Sequence, residues 1–264
     1  MAAHFDHTAG NYDQDFTASP IGKVQRELVF KSLDNCFSAT SASNILEINC
    51  GTGEDALHFG ELGAQVLATD ISSEMVKVTQ AKTHHLPNVS CQVLDINKLD
   101  NLSNSGHKTR YDLIFSNFGG LNCLTENDLR AFFKNATSLL KQNGLIALVI
   151  MPNFCLWETV YFATKLQFSK AFRRRKKSGV LANVAGQNVP TFYYSPSQIK
   201  DFATGFTVLK TTPIGFFTPP SYLNPFFANR PKSLKKLAKQ DEMRLNKAYL
   251  ASFSDHFLIC LQKN

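Results

Sequence analysis

The sequence predicts an α/β fold built on a doubly wound, mostly parallel sheet. The first observation is that short apolar runs alternate with amphipathic stretches from residue 44 to residue 151. The second is that the loops between these stretches are short. Consecutive parallel strands need right-handed crossovers, which place helices on both faces of the sheet. We therefore expect a ligand at the carboxyl ends of the strands, where the strand order reverses.

Each element has its own local signal. Apolar runs predict strands at 44–50, 65–69, 89–95, 111–116 and 145–151, and helices are predicted at 21–33, 54–63, 72–83 and 126–140. Ser195 is placed as the N-cap of a helix over 196–203, and a strand follows at 206–211. The alternation breaks at 153–192 and 212–253, which we interpret as two helical insertions that form a cap. No repeat or linker divides the chain, so we predict a single domain over residues 1–264.

The loop after the first strand predicts a nucleoside site. Gly51 and Gly53 allow a tight turn into the next helix, and Asp70 ends the second strand, where a carboxylate can accept both ribose hydroxyls. Glu47 and residues 54–55 place negative charge around this turn, which disfavours the pyrophosphate of a dinucleotide. The ammonium and sulfonium of S-adenosylmethionine suit such carboxylates. We therefore favour that ligand over NAD, which the glycine spacing alone would also fit.

These motifs and those that follow them resemble class I S-adenosylmethionine-dependent methyltransferases. The matching segments are, in order, 47–53, Asp70, 94–96, 111–117 and 145–151. The resemblance covers about residues 5–151 and a final strand near 255–261. It implies a Rossmann-like sheet of seven strands with the last strand antiparallel, and a cofactor-binding half over 1–151. The residues assigned to the cofactor are Tyr12, Glu47, Asn49, Cys50, Gly51, Thr52, Gly53, Asp70, Ile71, Met75, Asp95, Ile96, Asn117 and Phe118.

The acceptor side has weaker signals. Methyl transfer from a sulfonium is an in-line displacement, so the protein mainly aligns the acceptor in a dry pocket. A general base is needed only when the acceptor arrives protonated, and the candidates are His7, Tyr193 and His256. Apolar residues from 157 to 172 recur at helical spacing and predict one helix with an apolar stripe. The residues assigned to the acceptor are Phe16, Asn122, Trp157, Tyr161 and Tyr194.

The aromatic insertions favour a small to medium, largely apolar acceptor, methylated on oxygen in preference to nitrogen. Two alternatives stay open. One is an RNA methyltransferase, although no RNA-binding motif is present. The other is an enzyme that uses the bound cofactor as a scaffold for a reaction other than methylation.

Positive charge is concentrated in one segment. The chain has a formal net charge of +7, and residues 165–177 contain seven basic residues and no acid. This segment permits three interpretations: a solvated helix C-terminus, a peripheral contact with an anionic membrane, or RNA binding.

Other features exclude whole classes of protein. The six cysteines form no CxxC pair, which predicts neither a metal site nor a disulfide framework. The N-terminus lacks the basic and apolar regions of a signal peptide, and no apolar run reaches the roughly 18 residues of a membrane span. We therefore expect a cytoplasmic protein.

Overall fold

The computed structural model describes residues 17–104, 110–184 and 187–264. Its strands are β1 (Asn44–Ile48), β2 (Gln65–Asp70), β3 (Val89–Val93), β4 (Tyr111–Ser116), β5 (Leu140–Ile150), β6 (Val180–Val184), β7 (Gln187–Thr191), β8 (Phe206–Ile214) and β9 (His256–Lys263). Seven of them form one sheet in the order β3-β2-β1-β4-β5-β9-β8. Strands β3, β2, β1, β4 and β5 are parallel to one another, and β9 runs antiparallel to its neighbours β5 and β8. The predicted fold class is confirmed.

Ten helices accompany these strands in the described ranges. They are α1 (Pro20–Leu33), α2 (Glu54–Glu61), α3 (Ser73–Thr83), α4 (Asp100–Asn104), α5 (Glu126–Leu139), α6 (Leu156–Thr164), α7 (Phe168–Ala171), α8 (Pro196–Phe202), α9 (Asn224–Phe227) and α10 (Pro231–Glu242). The N-caps follow local chemistry: the Ser19 hydroxyl accepts from Gly22 N–H at 3.1 Å, and Ser195 forms a capping box with Gln198. None of these helices has both the length and the apolar character that a membrane span needs.

The sheet separates two apolar cores because successive strand residues point to opposite faces. On one face, Leu113 and Phe115 of β4 pack with α1 and α2, and the Phe115 ring meets Phe59 edge-on at 5.3 Å. On the other face, Ile114 packs with the apolar side of α5 and with α8. Both faces are thus buried, as in other doubly wound sheets. Truncating Phe115 to alanine would cost about 3–5 kcal/mol, which is typical for a buried phenylalanine.

The first insertion differs from the predicted single helix. Helix α6 ends at Thr164, Leu166 adopts a left-handed backbone conformation with φ of +58°, and α7 is a separate short helix. The chain then forms a 3-10 turn (Arg173–Arg175) and the antiparallel hairpin β6–β7. The pattern missed this break because leucine rarely takes a positive φ, whereas glycine or asparagine would have marked it. The cap is therefore part helix and part hairpin.

Candidate cofactor and acceptor site

The β1–α2 loop approaches the site through three residues with positive φ. These are Asn49 at +58°, Gly51 at +52° and Gly53 at +81°. A Cβ atom on Gly53 would lie 2.6 Å from Cγ2 of Thr79, whereas one on Gly51 would meet no atom within 4 Å. Thr79 also donates its hydroxyl to the Gly51 carbonyl at 2.9 Å. Helix α3 therefore holds the loop from behind and leaves Gly51 facing open space.

Acidic side chains stand at the ends of β2 and β3. Asp70 accepts the Gly51 N–H at 3.0 Å with one carboxylate oxygen and the Ser72 N–H at 2.9 Å with the other. Asp95 follows β3 and caps a 3-10 turn by accepting the Asn97 N–H at 3.0 Å. Both residues line one cavity. Because the carboxyl ends of parallel strands meet at one edge of a sheet, two motifs 25 residues apart share this site.

The end of β4 supports the same cavity with an amide. Asn117 donates to both carboxylate oxygens of Asp55, at 3.2 and 3.1 Å, and accepts the Phe118 N–H at 3.0 Å. Phe118 has φ of +42° and meets His256 edge-on at 5.6 Å, with the Arg26 guanidinium 5.1 Å from its ring. Asn117 therefore lines the cavity while its side-chain amide is hydrogen-bonded to Asp55 of α2.

The carboxylates of the glycine loop are largely paired within the protein. Arg26 forms an ion pair with Asp55, and Lys82 forms one with Glu54. Glu47 is buried, and burial followed by repulsion from Asp55 raises its pKa well above the ordinary value. Its Oε2 atom has no hydrogen-bond partner among the described residues. The sequence argument for S-adenosylmethionine over NAD counted these carboxylates as negative charge at the ligand, and the structure shows less free negative charge than that. The carboxylates that line the cavity are those of Asp70 and Asp95.

The cavity has a volume of about 360 Å³. Its lining residues fall into two groups along the chain, which we name the cofactor end and the acceptor end after the roles proposed for them below. The cofactor end is lined by Asn49, Gly51, Asp70, Ile71, Met75, Asp95, Ile96, Asn97, Asn117, Phe118 and Gly119. The acceptor end is lined by Gly120, Cys123, Leu124, Met151, Arg173, Ala182, Val189, Thr191 and Tyr193. The hairpin β6–β7 contributes Ala182, Val189 and Thr191, so the first insertion covers the acceptor end.

The acceptor end is mainly apolar, with a few polar groups. Burial raises the pKa of Tyr193, and burial also raises the pKa of the Cys123 thiol to about 11, so both are neutral at pH 7. Arg173 is an intact cation whose Nε and Nη2 atoms donate to Glu158 at 2.8 and 2.9 Å. No histidine lines the cavity in the part of the chain that the structure describes.

The structure brings ten of the sequence-predicted site residues to the cavity wall. They are Asn49, Gly51, Asp70, Ile71, Met75, Asp95, Ile96, Asn117, Phe118 and Tyr193. Glu47, Cys50, Thr52 and Gly53 do not line the cavity. His256 does not line the cavity, and its ring meets Phe118 edge-on. Tyr12, Phe16 and His7 lie outside the described residues.

Four residues predicted to contact the acceptor have other partners. Asn122 donates to the Met151 and Phe192 carbonyls at 3.1 and 2.6 Å and accepts the Met151 N–H at 2.9 Å. Tyr194 donates its hydroxyl to the Leu124 carbonyl at 2.6 Å. Trp157 and Tyr161 pack with residues of α1 and the second insertion, and the indole donates to Phe217 O at 3.0 Å. None of these four lines the cavity.

Sequence reasoning missed Arg173 and the hairpin residues at the acceptor end. The hairpin has weak strand signals because Pro190 cannot donate to a ladder and the remaining residues are mostly small or polar. The sequence does mark one close contact of the site through Gly120. A Cβ atom at this position would lie 2.6–2.7 Å from the Asn49 side chain, so glycine is needed there. The two consecutive glycines after β4 thus mark the close approach of two loops at the site.

The basic segment is not uniformly solvated, contrary to the interpretation of it as a solvated helix end. Arg174 is buried, and its Nη2 atom donates to Asp255 at 2.8 Å and to Glu158 at 3.1 Å. Arg173 binds the same Glu158 carboxylate. Arg174 therefore connects the first insertion to Asp255 beside the start of β9. The remaining basic residues of the segment, apart from these two arginines, are exposed.

Comparison with known proteins finds a methyltransferase-like segment in this chain. Residues 45–144 match the family model described as "Methyltransferase domain". The malonyl-(acyl-carrier protein) O-methyltransferase of Bacillus anthracis is 26% identical over 204 residues, which cover 76% of this chain and 66% of that protein. The matches span from 47% to 66% of the lengths of the curated relatives.

Solved structures share the fold at low sequence identity. The DhpI–SAH complex aligns with a TM-score of 0.61 and 14% identity, and the alignment covers 100% of this chain and 95% of that one. Magnesium protoporphyrin IX methyltransferase (ChlM) from Synechocystis PCC 6803 aligns with a TM-score of 0.56 and 13% identity, covering 96% and 87%. The chain thus resembles methyltransferases in sequence over residues 45–144 and shares the fold of both solved structures.

Proposed function

We propose that this protein transfers the methyl group of S-adenosylmethionine to a small to medium, largely apolar acceptor, releasing S-adenosylhomocysteine. The observation that carries the proposal is one cavity with two kinds of lining. Carboxylates and a glycine loop at the strand ends form part of its wall, and the β6–β7 hairpin with other mainly apolar side chains forms another part. A cofactor bound at the first part faces an acceptor held at the second.

The residues at the cofactor end fit S-adenosylmethionine. Because Gly51 has no side chain, the space beside its Cα atom is open to a ligand. The Asp70 and Asp95 carboxylates line the cavity as hydrogen-bond acceptors, which suits the ribose hydroxyls and the adenine amino group respectively. Ile71, Met75 and Ile96 offer apolar contact to the flat base. When bound, the cofactor supplies an electrophilic methyl group on a sulfonium. The chain itself aligns the acceptor and excludes water, and alignment of this kind supplies roughly 7–11 kcal/mol in well-oriented systems.

The titratable groups at the acceptor end favour oxygen as the accepting atom. Tyr193 and Cys123 are neutral at pH 7 because burial raises both pKa values, and Arg173 is a cation. None of the three is a ready proton acceptor, so an amine that arrives as an ammonium would lack a base. A carboxylate arrives already deprotonated, and Tyr193 and Arg173 can donate hydrogen bonds to it. The O-methyltransferase among the relatives supports the same choice.

The proposal is tested in two stages with purified protein. Thermal-shift titrations with S-adenosylmethionine, S-adenosylhomocysteine and NAD should give a saturable shift with the two adenosyl compounds only, because a ligand of the folded state stabilises it. Methyl transfer from radiolabelled cofactor is then measured with panels of apolar carboxylic acids, phenols and amines. We expect labelled ester from the acids, with one S-adenosylhomocysteine released per label. A shift with NAD alone would refute the cofactor assignment.

The second stage also separates the two alternatives. A labelled amine with no labelled ester would replace oxygen by nitrogen. A product formed without S-adenosylhomocysteine would assign the cofactor a scaffold role. Labelling of RNA in place of the small molecules would overturn the small-molecule proposal.

A further inference from the structure

The cap carries an apolar surface that no described element covers. We define the cap face as Leu166, Phe168 and Phe172 of the first insertion together with Tyr222 and Phe226 of the second. All five are exposed, and Leu166 is the most exposed large apolar side chain of the described residues, at 78%. Apolar side chains of this size are usually buried, and a cluster of exposed ones marks an interaction surface.

Ring contacts join the two insertions into one surface. Tyr222 lies 5.5 Å from the Tyr161 ring and 5.9 Å from the Phe162 ring, measured between centroids. Lys165, beside Leu166, lies 4.2 Å from the Tyr161 ring, and Lys170 lies 5.7 Å from the Phe162 ring. Tyr161 itself packs with Leu223 and Phe227 of the second insertion. Tyr161 and Tyr222 therefore join the two insertions that carry the exposed residues.

The cap face lies on segments rich in positive charge. Residues 159–192 and 212–240 of the two insertions contain twelve basic residues and no aspartate or glutamate. The nearest acid in the first insertion, Glu158, is buried in its ion pairs with Arg173 and Arg174. Lys165, Lys170 and residues 175–177 are exposed, and Arg230 lies 3.9 Å from the Phe226 ring. The partner must therefore be anionic as well as apolar.

A lipid bilayer satisfies both requirements better than RNA does. Its interface accepts apolar side chains at the acyl boundary, while lysines on flexible stems reach the phosphates. RNA is held by stacking of bases on aromatic rings, and a protruding leucine gains nothing from it. The cap face also adjoins the cavity, because Phe172 is followed directly by Arg173, which lines the acceptor end.

We propose that the cap face docks this protein on anionic lipid bilayers. Leu166, Phe168 and Phe172 enter the boundary between headgroups and acyl chains, and the surrounding lysines and arginines pair with lipid phosphates. The acceptor end of the cavity then lies beside the bilayer, where an apolar acceptor is dissolved. Only this last consequence rests on the proposed methyl transfer; the docking itself does not.

The first test is co-sedimentation of the full chain with vesicles. Phosphatidylcholine vesicles are compared with vesicles of phosphatidylcholine and phosphatidylglycerol, at low and at physiological salt. We expect strong binding to the anionic vesicles, little binding to the neutral ones, and a fall in binding as salt rises. Equal binding to both vesicle types, or binding to neither, would overturn the proposal. So would single-stranded RNA that binds the chain and prevents its sedimentation with vesicles.

Paired variants test which residues make the contact. Leu166→Glu with Phe168→Glu should lower the vesicle partition coefficient by roughly tenfold or more, because both side chains leave the acyl boundary. The matched control is Val93→Glu with Leu209→Glu, two exposed apolar residues on strands of the main sheet. It should bind as the unmodified chain does. Equal loss in both pairs, or none in the first, would contradict the assignment.

Charge is tested in the same way. Replacing Lys165, Lys170, Lys176 and Lys177 by glutamine should weaken binding by roughly fivefold per lysine at low salt. The control set is Lys98, Lys134, Lys200 and Lys247, which are exposed elsewhere on the chain. Thermal shifts with S-adenosylmethionine report the cofactor site of every variant. The vesicle experiment therefore tests the docking proposal alone, and the thermal shift tests the cofactor assignment alone, so failure of one does not imply failure of the other.

Discussion

At the carboxyl end of β2, the Asp70 carboxylate accepts two backbone N–H groups, one from the glycine loop and one from Ser72. The side chain therefore positions the loop as well as facing the cavity. We expect Asp70→Ala to weaken S-adenosylmethionine binding by about 2 kcal/mol, or roughly thirtyfold, because a charged acceptor is lost. Calorimetric titration measures this change.

The control for Asp70 is Asp112, which lies near the amino end of the central strand β4. Asp112 accepts the Asn44 N–H at 2.8 Å and pairs with Lys141 at 2.7 Å, so it has a comparable structural role. Asp112→Ala should lose stability and keep its affinity for the cofactor. Unchanged affinity in a folded Asp70→Ala variant would remove Asp70 from the site.

Two adjacent tyrosines separate acceptor contact from packing. Tyr193 lines the cavity, and Tyr194 donates to Leu124 O at 2.6 Å in the core. Tyr193→Phe should raise the KM of the acceptor found by screening roughly fivefold, since one hydrogen bond is lost. Cofactor affinity should not change. Tyr194→Phe should lower the free energy of unfolding by about 1 kcal/mol and leave KM alone. The reverse pattern in steady-state kinetics would exchange the two roles.

At the scale of elements, the β1–α2 loop uses its two glycines differently. Gly53→Ala places a Cβ atom against Thr79 at a φ of +81°, so overpacking adds about 1–3 kcal/mol to the strain of the positive φ. Gly51→Ala meets no protein atom but fills part of the cavity. We expect urea unfolding to show the larger loss for Gly53→Ala. Calorimetry should show the larger loss of cofactor affinity for Gly51→Ala among variants that remain folded.

The first insertion is attached to the sheet by a buried ion-pair cluster. Glu158 of α6 binds Arg173 and Arg174, and Arg174 also binds Asp255 beside β9. Glu158→Gln removes one partner and leaves a buried guanidinium short of negative charge, which should cost about 3–5 kcal/mol in urea unfolding. The exposed pair of Lys31 and Glu242 is the control, and Glu242→Gln should cost at most about 1 kcal/mol. Equal small losses would show that the cluster contributes little.

The central elements of the main sheet could be predicted because β1, β4 and β5 lie between two apolar layers. Burial on both faces produces apolar runs such as those of β1 and β5, and these signals do not depend on distant parts of the chain. The predicted boundaries differ by a few residues, chiefly at β5, which begins at Leu140. The cofactor end of the cavity followed from the strand ends.

The acceptor end could not be predicted in the same way. It is built by the β6–β7 hairpin and by Arg173, which reach the cavity only through tertiary contacts. Tyr194 and Asn122 were assigned to the acceptor because they are polar residues in suitable segments. The structure uses their polar atoms for carbonyl contacts within the protein. Residue type alone does not distinguish these uses.

At the scale of the whole molecule, Glu47 links stability to pH. Burial and the charge of Asp55 raise its pKa, so the folded state holds the proton more tightly than the unfolded chain does. This contribution to stability is complete below the unfolded pKa and is lost as pH rises through the folded pKa. Glu47→Gln keeps the neutral form at every pH. We expect its free energy of unfolding, relative to the unmodified chain, to increase as pH rises above about 4.5.

Urea unfolding at a series of pH values measures this difference. Glu54→Gln is the control, because Glu54 is partly exposed in the next helical turn and pairs with Lys82. Its difference from the unmodified chain should not follow the same rise. A pH-independent difference for Glu47→Gln would show that Glu47 ionises in the folded state as readily as in the unfolded chain.

The attachment of the hairpin also has a consequence for how such enzymes diversify. Asn122 holds the Phe192 segment to the loop after β4 with a side-chain bond of 2.6 Å, and Phe192 N–H returns a bond of 2.7 Å to Asn122 O. The hairpin that precedes Phe192 presents Ala182, Val189 and Thr191 to the cavity, while the cofactor end comes from other segments. Under the proposed function, substitutions on the hairpin would change which acceptor is methylated and leave the cofactor end unchanged. A library of variants at these three positions would test whether the hairpin alone determines acceptor selectivity.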